Sequence, residues 1–327
     1  MKIHKILVIS IAIALSLVSC KKRHVDVSIT RFDEIFFETP ANELAAKLKE
    51  FQADFPIEVL KDSPDNPQYM ATLLAFRNDS IARDIYNITH EKYKDLGWLE
   101  DELGDALGLA QKEYDEIDIE HFCTYIYQYQ FPEISYKDRI IVEREKKSVL
   151  ISLEMYALDV EQYQYLGLPT YMANLCKKEY LASDIMAEIA RQYIAKPQNR
   201  EPNLLDLIIE EGKVLYFLDE VMPKKEDHLK IRYTPEQLEW CKKNEKNIWT
   251  YFIQNNMLYD KDLLKYQNFY DEAPKTNAFK DSAPRTTQYI GWQIVRSYMK
   301  NNKKCDMKEL FENDDSQGIL MASKYKP

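Results

Sequence analysis

Glycine is scarce in this chain, seven in 327 residues where about 7% is usual. That scarcity argues against an all-β sandwich and against a phosphate-cradling glycine loop, because both need residues at positive φ. Histidine is rare as well. No two of His24, His90, His121 and His228 stand three or four apart, so each reads as a surface or structural residue rather than half of a helical metal pair. No C-x-x-C occurs, which leaves a thioredoxin-like redox pair and a zinc ribbon unsupported. The G-x-S-x-G elbow, the Walker loop and the EF-hand pattern are missing too, and no catalytic constellation, metal set or cofactor motif is assigned. What is present is ordinary for a globular protein: 45% apolar, 30% charged and 12% aromatic residues, with no repeat and no linker rich in Gly or Ser. A helix-rich body follows.

The amino terminus carries the most specific signal. Lys2 and Lys5 precede an uncharged run from Ile6 to Val18. As a helix it would span about 20 Å, too short for a hydrocarbon core of about 30 Å. The run ends in Leu17-Val18-Ser19-Cys20, which resembles the bacterial lipobox, followed by Lys21-Lys22-Arg23. The expectation is a lipoprotein signal peptide at 1–19, cleavage before Cys20, lipidation of Cys20, and a short tether to residue 27. By analogy with lipoprotein sorting, Lys at position 21 favours the outer membrane, with the body facing the periplasm. Several acyl chains on one residue hold far more firmly than one. With 44 Lys and Arg against 54 Asp and Glu the formal charge is −10, and loss of Lys2 and Lys5 with the leader takes it to −12. Such a body repels phosphate backbones and anionic lipid, which argues against nucleic acid as a partner. The four remaining cysteines, Cys123, Cys176, Cys241 and Cys305, allow three pairings in an oxidising compartment, but isolated buried thiols are the expectation.

Residues 28–327 are expected to form one mainly helical unit of the α+β class. Alternation over 25–37 suggests one strand and then a short segment that docks two phenylalanines; 42–51 reads as helix, the proline-bearing 56–69 as an extended loop, and 70–131 as tyrosine-rich helices. The β-branched runs 139–143 and 148–156 read as two strands of a small antiparallel sheet. Helices dominate after Pro169.

Three of those helices hold the informative residues. The first runs from Ser183, a plausible N-cap, to Ala195. The second, 203–218, strings Leu204, Ile208, Glu211, Leu215 and Leu218 on one face. The third starts at Thr234-Pro235-Glu236-Gln237, a capping box with Pro at the first helical position, and continues to about Gln254. Its stripe Leu238, Cys241, Glu245, Ile248, Phe252 again puts an acid in an apolar seam. Ionised acids there need a cation, and Arg191, Lys213, Arg285 and Arg296 are the expected partners. Gly212 and Gly291 read as close helix contacts. Trp240, Trp249 and Trp292 read as core more readily than as a partner surface.

A zinc peptidase helix has the form H-E-x-x-H, and a Glu on a following helix can complete the site. Glu188 and Glu211 could fill the base and third-ligand places. The two histidine positions are Ala187, which has no donor atom, and Arg191, a fixed cation that repels Zn²⁺.

The segments LLDLIIEEGKVLYFLDEVMP (204–223), YTPEQLEWCKKNEKNIWTYF (233–252), APRTTQYIGWQIVRSYM (283–299) and SKYKP (323–327), with RFDEIFF (31–37) behind a lipobox, resemble the GldB-type gliding-motility lipoproteins. Arg232 stands where that family tends to have Gly, which puts the geometry of its loop in question. The family is also distantly similar to predicted zinc peptidases, in which Glu211-Gly212 match and Ala187 and Arg191 do not. The resemblance implies a zincin-like helical core whose metal site has been lost. It also implies a role in assembling or supporting the gliding apparatus and the linked type IX secretion system, without established enzymatic activity. The expectation is therefore a non-enzymatic envelope protein that binds other envelope proteins. The rival readings are a metallopeptidase with an unorthodox ligand set including Glu211, and a solute-binding lipoprotein with a tyrosine-lined cleft.

Overall fold

The computed structural model describes residues 24–55, 62–125 and 139–327. Cys20, the leader 1–19 and residues 21–23 of the tether lie outside the described residues, as do 56–61 of the expected loop and 126–131 of the expected tyrosine-rich helices. The described residues are predominantly helical around one four-stranded sheet. The strands are β1 (Ile29–Thr30), β2 (His121–Thr124), β3 (Ile140–Glu143) and β4 (Ser148–Ile151), in the order β1-β2-β4-β3. The expected hairpin exists, with β3 antiparallel to β4 and Ile141 opposite Leu150. The sheet as a whole is mixed rather than antiparallel, because β2 runs parallel to both β1 and β4, Phe122 facing Ile29 on one side and Val149 on the other. Parallel neighbours require a long crossover, and the helices between residues 32 and 113 supply it for β1 and β2. All four residues of β4 are buried, as a strand covered on both faces demands.

Several element boundaries differ from the sequence reading. Alternation over 25–37 stops at Thr30, and Phe32–Glu38 forms helix α1, which turns Phe32, Phe36 and Phe37 into the core. The helix expected at 42–51 is α2 (Leu44–Asp54), and α3 (Pro67–Asn78), α4 (Ser80–Lys92) and α5 (Gly97–Glu113) follow. The run of helices expected to reach 131 ends at Glu113, with β2 in its place. The second strand of the hairpin ends at Ile151, since Leu153–Tyr156 tightens into a 3-10 turn whose Glu154 carbonyl accepts the Tyr163 hydroxyl at 2.9 Å. Short helices α6 (Val160–Tyr165) and α7 (Thr170–Ala173) lead to α8 (Leu181–Arg191). Ser183 is not its cap: it lies inside the helix, 1% exposed, and its hydroxyl donates to the Tyr180 carbonyl at 3.0 Å.

The remaining elements are α9 (Leu204–Val221), α10 (Asp227–Lys230), α11 (Pro235–Gln254), α12 (Gln267–Tyr270), α13 (Thr286–Asn301), α14 (Met307–Glu312) and α15 (Ser316–Ser323). The capping box at Thr234 is formed, with Thr234 and Gln237 exchanging hydrogen bonds of 2.9 and 3.2 Å. Helices α9 and α13 approach each other closely through two glycines. A Cβ on Gly212 would overlap the Gly291 carbonyl, and one on Gly291 would overlap that of Ile208. The large core around α5, α8, α9 and α13 includes Leu103, Ile189, Ile208, Phe217 and Trp292, while Phe32, Phe51, Cys123 and Leu150 belong to a second cluster under α1 to α4. No helix of the described residues is long and apolar enough to cross a membrane.

Candidate functional site

Helix α8 owes its placement to Leu181, Ile185, Met186 and Ile189, all fully buried, which leave Glu188 and Arg191 on the side that meets α9. Helix α9 is fixed at its start by a second capping box. Asn203 Oδ1 accepts from the Asp206 amide at 3.1 Å, and Asp206 accepts the Asn203 amide at 2.8 Å while clamped by Arg200 at 2.6 and 2.7 Å. With both ends of the geometry set, residues 191 and 211 face each other.

The Arg191 guanidinium grips the Glu211 carboxylate with two donors, Nη1 to Oε1 and Nη2 to Oε2, the latter at 3.0 Å. Its Nε lies 3.4 Å from Glu188 Oε1. One arginine therefore contacts both carboxylates, the one in the base place and the one in the third-ligand place. Burial pushes the Glu211 carboxyl up, but Arg191, with Arg232 and Arg285 behind it, outweighs burial and holds it below the usual carboxylate range. Ala187, the other missing ligand position, is partly buried against the core and offers no donor.

One turn earlier on α8 lies Asp184, which the sequence reading missed. It is buried, and it accepts from Arg139 Nη2 at 3.0 Å and from the Tyr156 hydroxyl at 2.8 Å. Arg232 Nε stands 3.7 Å from its other oxygen. Burial raises its carboxyl, and the two arginines more than reverse that shift. From Arg232 the charges continue: Nη2 donates to Glu272 Oε1 at 3.1 Å, and Glu272 Oε2 lies 3.2 Å from Nε of Arg285, a guanidinium only 1% exposed. Arg285 also donates to the Ile231 and Arg232 carbonyls at 3.0 and 3.2 Å. Arg232 holds φ at 55°, the left-handed region where Gly is most at ease, yet its side chain does what Gly could not by linking Asp184 to Glu272.

Glu245 departs from expectation. Its partners are not cations but the hydroxyls of Tyr289 at 3.0 Å and Tyr325 at 2.8 Å. Arg296 serves Asp219 instead, at 2.7 and 2.8 Å, together with Lys230 and the indole of the buried Trp292. Lys213 is 2% exposed and donates to the Asn313 carbonyl at 2.6 Å; burial lowers its ammonium to about 8. Cys123, Cys176 and Cys241 are free and buried, while Cys305 is free and partly exposed. Burial pushes the Cys176 and Cys241 thiols up to about 12. Trp240 packs on Phe279 and Trp249 on Tyr325, so the tryptophans named from sequence serve the core. Among the described residues no group of three His, Cys, Asp or Glu is disposed to hold a metal ion.

Away from this network, α5 and the segment after α9 enclose a cleft of about 540 Å³. Trp98, Ala106, Leu109, Val221, Met222 and Leu229 form its apolar lining, with Glu102, Glu179 and Lys224 at the rim. No tyrosine is among its lining residues.

The molecule is thus a helical protein on a small mixed sheet, in which an arginine joins two helix-borne carboxylates in place of a donor set. The chain matches the family model described as gliding motility protein GldB over residues 17–327, and it belongs to that family. No curated protein and no solved structure matches it.

Proposed function

We propose that this gliding-motility family member is a lipoprotein, anchored through Cys20 and facing the periplasm from the outer membrane, that works by binding envelope proteins of the motility or secretion machinery and not by turning over substrate. The observation that carries this reading is Arg191 between Glu188 and Glu211. A permanent cation there repels a divalent ion, and its donors occupy the carboxylate lone pairs that a metal would need. The continuous ion-pair network from Arg139 to Arg285 supports a structural use of the same acids.

Glu188→Ala is expected to leave gliding and secretion intact in a protein that folds; loss of either would overturn the non-enzymatic reading. Metal analysis of the purified wild-type chain is expected to find no stoichiometric zinc. The double change Ala187→His with Arg191→His frees Glu211 and supplies imidazoles four apart, so that variant is expected to take up about one zinc per chain. Cys20→Ser is expected to abolish incorporation of labelled palmitate and to move the protein out of the membrane fraction. Crosslinking in cells, followed by mass spectrometry, identifies the partners.

A further inference from the structure

Helix α3 turns Met70, Leu73 and Arg77 inward, at spacings of three and four. The third place on that stripe calls for an apolar side chain, yet a guanidinium only 7% exposed fills it. Its Nη1 is sealed from solvent without a hydrogen-bond partner, whereas Nε and Nη2 keep an opening to it. No carboxylate among the described residues stands within ion-pair distance. Burial lowers the pKa of Arg77, and the other charge that acts on it, Arg83, is a second cation and lowers it further. A cation so placed is unfavourable unless something negative answers it.

Arg83 repeats the misfit. It stands half-buried in the first turn of α4, a turn without an acid, where the positive end of the helix repels it. It too pairs with no acid among the described residues. Asp79, the single residue that joins the two helices, spends Oδ1 on the Ala82 amide at 3.0 Å instead. Two neighbouring guanidiniums are thus left unanswered in a chain with 54 acids against 44 Lys and Arg. Each presents a planar fork of donors matched to an oxyanion.

We propose that Arg77 and Arg83 clamp a carboxylate from an acidic segment of a partner protein, which docks on the α3–α4 hairpin. The inference rests on the partner-binding reading and deepens it, by giving the partner a chemistry and a place. Exposed Asp79 and Asp84 flank the clamp and leave its surroundings without net charge, which suits a single carboxylate better than a phosphate dianion. Ile81, 41% exposed between the two arginines, adds an apolar contact that a peptide can use and an inorganic ion cannot. The opposite charge confines such a segment to this hairpin, since the acidic body around it repels the same peptide elsewhere.

The test uses the full chain purified from membranes in detergent, with fluorescein-labelled hexaglutamate as the probe and hexaglutamine as its uncharged control, read by anisotropy at physiological ionic strength. The wild type is expected to bind hexaglutamate and to ignore hexaglutamine. Arg77→Leu and Arg83→Gln are each expected to weaken that binding by about tenfold or more. Leu at position 77 continues the Met70–Leu73 stripe, so the first variant is expected to keep or raise Tm while it loses the peptide, which separates recognition from folding. Absence of binding in the wild type, equal binding of hexaglutamine, or affinity unchanged in both variants overturns the proposal. A lower Tm in Arg77→Leu with unchanged affinity in Arg83→Gln makes the guanidinium a structural one and overturns it too, as does displacement of the peptide by an equal concentration of inorganic phosphate. Failure here strikes the clamp and leaves partner binding to the crosslinking in cells, whereas loss of secretion in Glu188→Ala strikes that reading and leaves the clamp.

Discussion

Removing the Arg191 guanidinium leaves Glu188 and Glu211 facing each other across two helices with no charge between them. Both acids are partly buried, Glu211 about a fifth exposed, so Arg191→Met is expected to cost about 2–3 kcal/mol, below the range for a fully buried broken pair. The double variant R191M/E211L removes the stranded charge and is expected to recover most of that loss, as read by urea unfolding. Titration gives a second check. The carboxyls of Asp184 and Glu211 are held below their unfolded values, so their stabilisation is complete above those values and is lost as pH falls through the folded ones. Lys213 titrates in the same sense but in the alkaline range. Between about pH 8 and 10.5 the unfolded chain keeps a proton that the folded chain has released, so stability rises with pH across that window, by about 2–3 kcal/mol. Lys213→Met is expected to lack this rise, and the difference between the two unfolding curves isolates it from the buried thiols and tyrosines, which titrate in the other sense.

At the level of elements, the crossing of α9 and α13 depends on two hydrogen atoms in place of methyl groups. Gly291→Ala drives a Cβ into the backbone of Ile208, which cannot rotate away as a side chain can. The helices must separate, and a loss of about 3 kcal/mol or more is expected, measurable as a lower Tm with the helical signal retained below it. Much of this was legible beforehand. The stripe from Leu204 to Leu218 and the capping box at Thr234 are local signals, complete within one element, and the glycine pair stood out in a chain with so few. Strand β2 was not legible, because His121–Thr124 is four residues with no turn chemistry around it and takes its meaning from β1 and β4. Asp184 was hidden for the same reason: its partner Arg139 is 45 residues away, and inside LASDIMAEIAR it reads as one more polar residue on an amphipathic helix. Glu245 was placed in its seam correctly, but which donor meets it depends on a tyrosine 80 residues later.

For the whole molecule, that last contact has a measurable weight. Tyr325 places its hydroxyl on Glu245 and its ring edge-on to Trp249 at 5.3 Å, while the Ser323 carbonyl accepts from Ser297 and Asn301 at 2.8 Å each. Truncation after Ala322 is expected to red-shift the Trp249 emission and to lower Tm by several degrees, since a loss of about 1–2 kcal/mol moves a large domain by about 2–4 °C per kcal/mol. The seam between α11 and α13 is closed by a side chain that leaves the ribosome long after both helices have done so. The latch on Glu245 therefore forms only after both of the helices it closes upon have been synthesised.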